Sequence, residues 1–245
     1  MRHFGLIGYP LGHSFSKKYF TEFFEKGNID AQYDSYPLEN IREFSALIEQ
    51  TDFTGLNVTF PYKQQVMQFL DELDETADAI GAVNVIKFIR ENGKTILKGY
   101  NSDTIGFENA ILPFLKTHHR KALILGTGGA SKAVVYTLKK LKIQTTYVSR
   151  QSSNGILGYE DINKIIINDN LLIINTTPLG MYPKTDECPN IPYEFVTDKH
   201  LLYDLVYRPD ETLFMKKGRE AGAIAVNGIE MLYGQAGAAW EIWNN

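Results

Sequence analysis

Lys63 ends the stretch GLNVTFPYK, just past an apolar run and two residues after Pro61. Proline suits the first position of a helix, because its missing N–H would lack a partner there anyway. A helix beginning at Pro61 sets Lys63 in its first turn, near the positive end of the dipole. That placement costs a few tenths of a kcal/mol, up to ~1, and favours the neutral amine. A lysine so held can take and return a proton near neutral pH. The alternative is an exposed lysine that tolerates a small penalty.

Asp103, in KGYNSDTIGF, is the second group of interest. An aspartate just before a helical run is the expected N-cap. Yet Asn57, Thr59, Lys63 and Asp103 all fall at or just past the C-termini of apparent strands, the edge where open α/β sheets bind ligands. A Lys–Asp pair there could fix a substrate hydroxyl and handle its proton. In HSFS, Ser14 and Ser16 open a helix, where they can hydrogen-bond an anion or simply cap. Asn84 stands at a turn into a strand, and Gln235 among small residues of the last helix. Of five histidines only His118 and His119 are close in sequence, in a polar linker, so no metal site is expected. Cys188, the one cysteine, reads as a loop thiol and excludes an intrachain disulfide.

LILGTGGASKAV follows a strand and opens an amphipathic helix. Gly126, Gly128 and Gly129 let the backbone turn tightly and approach a pyrophosphate at the helix N-terminus. Without a nucleotide, the same glycines make a plain strand–helix turn. The next strand ends YVSRQSS, with no acid to hold a ribose 2′-hydroxyl but with Arg150 among hydroxyls. A guanidinium there suits a 2′-phosphate, which favours NADP, although a solvated surface arginine is the alternative.

The elements that must position these groups fit a layered α/β chain. The 245 residues are 44% hydrophobic and 22% charged, enough for one large domain or two small ones. A formal net charge of −4 argues against a nucleic-acid or anionic-membrane surface. The N-terminus is apolar only briefly and no run is long enough to span a bilayer, so a soluble cytoplasmic protein is expected. HFGLIGY, AQYDSYPL and GLNVTF read as strands separated by amphipathic helices, and VNVIKFI and KTILKGY as a hairpin about Asn92-Gly93. From Lys121 onward KALILG, TTYVSR, LLIINTT, LLYDLVY and AIAVNG are near-continuous apolar strands, the pattern of a parallel sheet buried on both faces. The expected division is 1–102, with a returning helix over 228–245, and 103–227.

Taken together, the motifs resemble those of shikimate dehydrogenases along nearly the whole chain. GYPLGHSFS, GLNVTFPYK, DAIGAVN, GYNSD, LGTGGASKA, NTTPLGM, DLVYRPDET and GIEMLYGQA occur in the family's order. The resemblance implies NADPH-dependent reduction of 3-dehydroshikimate to shikimate, in chorismate and aromatic amino-acid biosynthesis. It also implies two α/β domains: a substrate-binding open, mostly parallel sheet, and a Rossmann-like doubly wound NADP-binding domain. Lys63 would be the acid–base residue and Asp103 its partner on the substrate hydroxyls, with Ser14 and Ser16 on the carboxylate. Thr59, Asn84, Tyr207 and Gln235 would line the same pocket. The cofactor would lie on Gly126, Thr127, Gly128, Gly129, Ala130, Ser149, Arg150, Thr176, Leu205, Gly228 and Met231, with Glu75 nearby. Two departures stand out. Lys17-Lys18 replaces the usual proline after the second serine, and Ser149-Arg150-Gln151 replaces Asn-Arg-Thr. The alternatives are a dehydrogenase that also takes quinate, with NAD or mixed cofactor use, and a non-catalytic NADP-binding protein. The serine pair favours shikimate. The expected partner is a small-molecule substrate, not nucleic acid or membrane, and the expected assembly is a monomer or homodimer.

Overall fold

The computed structural model describes residues 1–12 and 15–245. Ser14 therefore lies outside the described residues. The chain falls into two compact units, Met1–Ser102 with Ala236–Asn245, and Asp103–Gln235.

In the first unit β1 (Arg2–Gly8), α1 (Phe15–Lys26), β2 (Ala31–Pro37), α2 (Glu43–Gln50) and β3 (Phe53–Val58) alternate. Then come a two-residue β4 (Glu72–Leu73), α3 (Glu75–Ile80), β5 (Val85–Glu91) and β6 (Lys94–Tyr100). The sheet order is β2-β1-β3-β5-β6-β4. β1 pairs in parallel with β2 and β3, while β5 runs antiparallel to β3 and to β6. Asn92 (φ 52°) and Gly93 (φ 76°) close the β5–β6 hairpin. Two left-handed residues match the strand twist, which is why Asn-Gly serves there. Asp74 caps α3, accepting from the Thr76 and Ala77 amides, and Gly81 ends it at φ 66°.

The second unit holds α4 (Asp103–Ile111), β7 (Lys121–Leu125), α5 (Gly129–Lys140), β8 (Gln144–Ser149), β9 (Ile156–Gly158) and α6 (Lys164–Asp169). After these come β10 (Leu172–Asn175), β11 (Leu201–Asp204), α7 (Leu213–Glu220), β12 (Ile224–Val226) and α8 (Ile229–Asn244). Its six strands run in the order β12-β11-β10-β7-β8-β9, and every pair is parallel. That is the doubly wound dinucleotide order, with the topological switch between β7 and β10. β7, β10 and β11 are buried almost end to end, as their apolar runs demand.

The division falls inside α8, at Gln235/Ala236, later than the Gly228 expected from the pattern. The cause is packing along one unbroken helix. Met231 joins the Phe107–Tyr203 core of the second unit, whereas Ala236, Ala239 and Trp243 join Phe4, Phe20 and Tyr33 in the first. The Trp243 indole packs against Phe4, tilted 38° with ring centroids 4.7 Å apart, and donates from Nε1 to the Ile86 carbonyl at 3.0 Å. A Cβ at Gly55 would overlap that ring, so glycine is required in β3. Trp243→Phe should keep most of the buried ring but lose the indole bond to the Ile86 carbonyl. The expected loss is about 0.5–1.5 kcal/mol, read from urea unfolding midpoints.

No helix among the described residues is long and apolar enough to cross a membrane.

Candidate functional site

The switch edge of the second sheet carries the glycine turn. Gly126 leaves β7 at φ +106°, a conformation that side chains rarely adopt. A Cβ there would stand 2.8 Å from Thr176 Oγ1 and 3.0 Å from Thr177 Cγ2, so the turn sits directly against the loop that follows β10. Gly128 is the N-cap of α5 and has no side-chain cap bond. Its own Cβ would meet nothing within 4 Å, which leaves the start of the helix clear for a group to approach. Thr127 and Gly128 are exposed, and Gly129 and Ala130 begin the helix. Open amides at a helix N-terminus beside a switch point fit a dinucleotide pyrophosphate.

The remaining residues assigned to the cofactor divide into two groups. Ser149 ends β8, and exposed Arg150 follows it, close enough to Tyr159 for its charge to stabilise the phenolate against the rise caused by burial. Thr176 donates from both its amide (2.9 Å) and its hydroxyl (2.8 Å) to the Leu125 carbonyl. Leu205 follows β11, and the Gly228 amide donates to Val206 at 3.2 Å. A side chain at Gly228 would run into the Leu205 carbonyl. Met231 is buried in the core of this unit. Glu75 belongs to the first unit, exposed in the first turn of α3.

In the first unit the chain around Lys63 differs from the expected helix. Residues 60–64 form turns, and only a short 3₁₀ segment, Gln65–Phe69, follows. The reason is where the carbonyls go. Lys63 gives its carbonyl to the Val83 amide at 2.7 Å, sideways toward the entry of β5, so it serves no helical ladder. Lys63 is thus not in the first turn of an α-helix, and the dipole argument for its chemistry does not apply.

What the structure supplies instead is a hub at residues 82–84. Ala82 accepts from Asn101 Nδ2 at 2.9 Å, and Val83 donates to Lys63. Asn84 exchanges main-chain bonds with Tyr100 and Val58. Its buried side chain accepts the Ser102 amide at 2.7 Å and donates to the Ser102 hydroxyl at 3.1 Å. Asp103 is the next residue along the chain. It is the first residue of α4, buried to 5% exposure rather than standing ahead of the helix as a solvated cap. Lys63 and Ser102 are therefore anchored to the same three residues.

Ser16 lies in the first turn of α1, partly buried, and its hydroxyl bonds the phenol of Tyr33. Tyr33 donates to Asn57 Oδ1 at 2.7 Å, and Asn57 donates to the Asn84 carbonyl at 3.3 Å. Burial pushes the Tyr33 phenol far above its ordinary value, so it stays protonated and serves as a fixed link. Thr59 follows β3, its amide bound to the Ile7 carbonyl. Tyr207 is partly buried in the loop after β11, and its phenol is raised by that burial. Gln235 is partly buried on α8, which crosses α4 where Gly106 and Gly234 let the two backbones nearly touch.

Other polar groups are structural. His119 and His200 each accept a main-chain N–H at Nδ1 (3.0 Å) and donate from Nε2 to a carbonyl, tying the loops that enter β7 and β11. Burial lowers both below the usual histidine value. No group of three or more His, Cys, Asp or Glu able to hold a metal occurs among the described residues. Cys188 is partly buried and unbridged.

Sequence reasoning missed Tyr33, Asn175 and Asp204. Asn175 and Asp204 are fully buried at the last positions of two otherwise apolar strands. That break in LIIN and LLYD was the available signal.

A family profile described as shikimate dehydrogenase substrate binding domain matches residues 6–86. Among curated proteins, NADP(+) shikimate dehydrogenases from Methanosphaera stadtmanae and Clostridium beijerinckii are 36% and 37% identical to this chain. The matches cover 98% and 99% of the chain and 90% and 92% of those proteins. Among solved structures, a chorismate mutase/shikimate 5-dehydrogenase fusion from Clostridium acetobutylicum superposes with TM-score 0.86 at 38% identity, covering 99% of this chain and 91% of that one. A shikimate 5-dehydrogenase from Thermus thermophilus, in complex with NADP(H) and shikimate, gives TM-score 0.86 at 26% identity over 99% and 93%. With relatives above 30% identity matched over nine-tenths of their length, this chain belongs to the shikimate dehydrogenase family.

Proposed function

We propose that this protein catalyses the reversible NADPH-dependent reduction of 3-dehydroshikimate to shikimate, a cytoplasmic step toward chorismate and the aromatic amino acids. The observation that carries the reading is a 36% identity, along nearly the whole chain, to proteins named for that activity with NADP(+). The glycine turn at the switch point of a doubly wound sheet supports the cofactor half.

Residues 1–102 supply most of the substrate contacts, and the second unit holds the dinucleotide. When bound, NADPH supplies the hydride that the carbonyl carbon receives. Lys63, as its ammonium form, gives a proton to the carbonyl oxygen, which completes the secondary alcohol. In the reverse direction the amine takes that proton back. Asp103 accepts a hydrogen bond from a ring hydroxyl and fixes the ring. Ser14 donates to the substrate carboxylate, and Ser16 joins it by turning its hydroxyl from Tyr33; Thr59, Asn84, Tyr207 and Gln235 bind the other polar edges.

Arg150 holds the 2′-phosphate, assisted by Ser149. Arg150→Ala should weaken NADP+ by about tenfold, the scale of one exposed charge-assisted contact, and leave NAD+ unchanged. Initial rates on shikimate and on quinate, each with NADP+ and NAD+, test the whole reading. Shikimate with NADP+ should be fastest by a wide margin. Preference for quinate or for NAD+ would overturn the assignment of substrate or of Arg150, respectively.

A further inference from the structure

We infer that Asp204 is a positioning residue for the dinucleotide, its buried carboxylate tying together the loops that leave β10 and β11 at the switch edge. The inference rests on the dinucleotide reading of that edge.

Asp204 and Asn175 are register partners at the last positions of adjacent parallel strands, and both are 0% exposed. Asp204 Oδ1 accepts from Asn175 Nδ2 at 2.9 Å and from the Val206 amide at 3.0 Å. Its Oδ2 accepts the Thr212 hydroxyl at 2.6 Å, and Thr212 Oγ1 in turn caps α7 through the Met215 amide at 3.3 Å. Asn175 carries the network onward. Its Oδ1 accepts from the Thr177 amide and hydroxyl, at 3.0 and 2.6 Å, and its carbonyl accepts the Leu205 amide at 2.9 Å.

One carboxylate therefore fixes both ends of the 205–212 loop and, through Asn175, the start of the loop beginning at Thr176. Thr176 is the residue that presses on Gly126 and bonds Leu125, so the network ends at the glycine turn itself. Leu205 and Tyr207 stand on the first loop. Three donors converge on Asp204, two on Oδ1 and one on Oδ2, and fill most of the acceptor positions of its carboxylate.

Fold stability alone does not call for a charge here. Replacing a buried ionic group with a well-packed apolar one is commonly neutral or stabilising. The rest of β10 and β11 is apolar, so a third layer of leucine or isoleucine would continue the core. What an apolar pair would lose is the defined course of two loops at the edge where a ligand binds.

The test is NADP+ affinity by fluorescence titration, with KM for shikimate and urea midpoints measured alongside, for Asp204→Ala, Asp204→Asn and Thr212→Val. Asp204→Ala should raise the NADP+ dissociation constant by on the order of tenfold or more, the scale of a lost buried charged bond, with a smaller rise in the shikimate KM because Tyr207 stands on the same loop. Asp204→Asn keeps one oxygen for Asn175 and Val206 and turns its amide to Thr212 Oγ1, so it should recover most of the affinity. A folded Asp204→Ala protein with wild-type NADP+ affinity overturns the inference, as does a folded Asp204→Asn protein that is as weak as alanine. If the alanine variant does not fold, Thr212→Val decides. It should weaken NADP+ several-fold with a smaller effect on the shikimate KM, and no change in NADP+ affinity, or an equal loss in both, overturns the inference. A wild-type protein that fails to bind NADP+ at all would instead overturn the dinucleotide reading.

Discussion

Lys63→Ala is expected to lower kcat by about 10²–10⁴-fold, the usual contribution of a positioned acid–base group, while KM for shikimate changes little. The split follows from how the residue is held. The main chain at Lys63 is fixed by its carbonyl bond to the Val83 amide, and the turn before it by Tyr62 N–H on Thr59 and Val66 N–H on Tyr62. None of these bonds uses the lysine side chain. Alanine keeps every one of these main-chain bonds, so the loop and the hub at 82–84 should stay in place while the amine and its own contacts are lost. Under the proposed assignment, substrate recognition rests on other residues, the serines of the N-terminal motif and the polar edge of β3 and β5. A variant that keeps near-wild-type turnover would remove Lys63 from the chemistry. One that loses kcat and stability together would make it a structural residue.

Gly126→Val is expected to weaken NADP+ by well over tenfold and to leave the shikimate site intact. Two costs act at one position. The backbone at φ +106° strains any residue with a Cβ, by about 1–3 kcal/mol. The new Cβ also meets Thr176 Oγ1 at 2.8 Å and Thr177 Cγ2 at 3.0 Å, and overpacking of that kind costs typically about 1–3 kcal/mol. Relief requires the glycine turn or the 176–177 loop to move, and both lie at the switch edge. At about 1.4 kcal/mol per tenfold, even the lower sums amount to well over a tenfold loss. Titration of NADP+ against the folded variant reads the effect directly. Unchanged affinity would show that the turn does not contact the cofactor.

Much of this is legible in the sequence because it is written locally. Asn92-Gly93 marks the hairpin, since only left-handed residues close so tight a turn between twisted strands. The apolar runs from Lys121 signal a parallel sheet because strands buried on both faces lose their alternation. The glycine turn gives itself away by lying between a strand and an amphipathic helix. Other features have no local signature. β4 and β9, two and three residues long, are too short to show a period. The course of the chain at Lys63 imitates a helix, because proline followed by polar residues satisfies the helix-start rule. The bond that overrides it comes from Val83, distant in sequence. Asp204 and Asn175 are, locally, no more than polar strand ends; only register reveals that they are buried partners. Tyr33 is, locally, one more strand aromatic, whereas its hydroxyl joins Ser16 to Asn57.

The most direct measurement is the steady-state rate of the purified protein with shikimate and NADP+, followed at the nicotinamide absorbance band, for the wild type beside Lys63→Ala. Robust reduction of NADP+ by the wild type, with turnover nearly abolished in the variant, is the predicted outcome. A folded wild-type protein that binds NADP+ yet reduces none of it in the presence of shikimate would contradict the central claim.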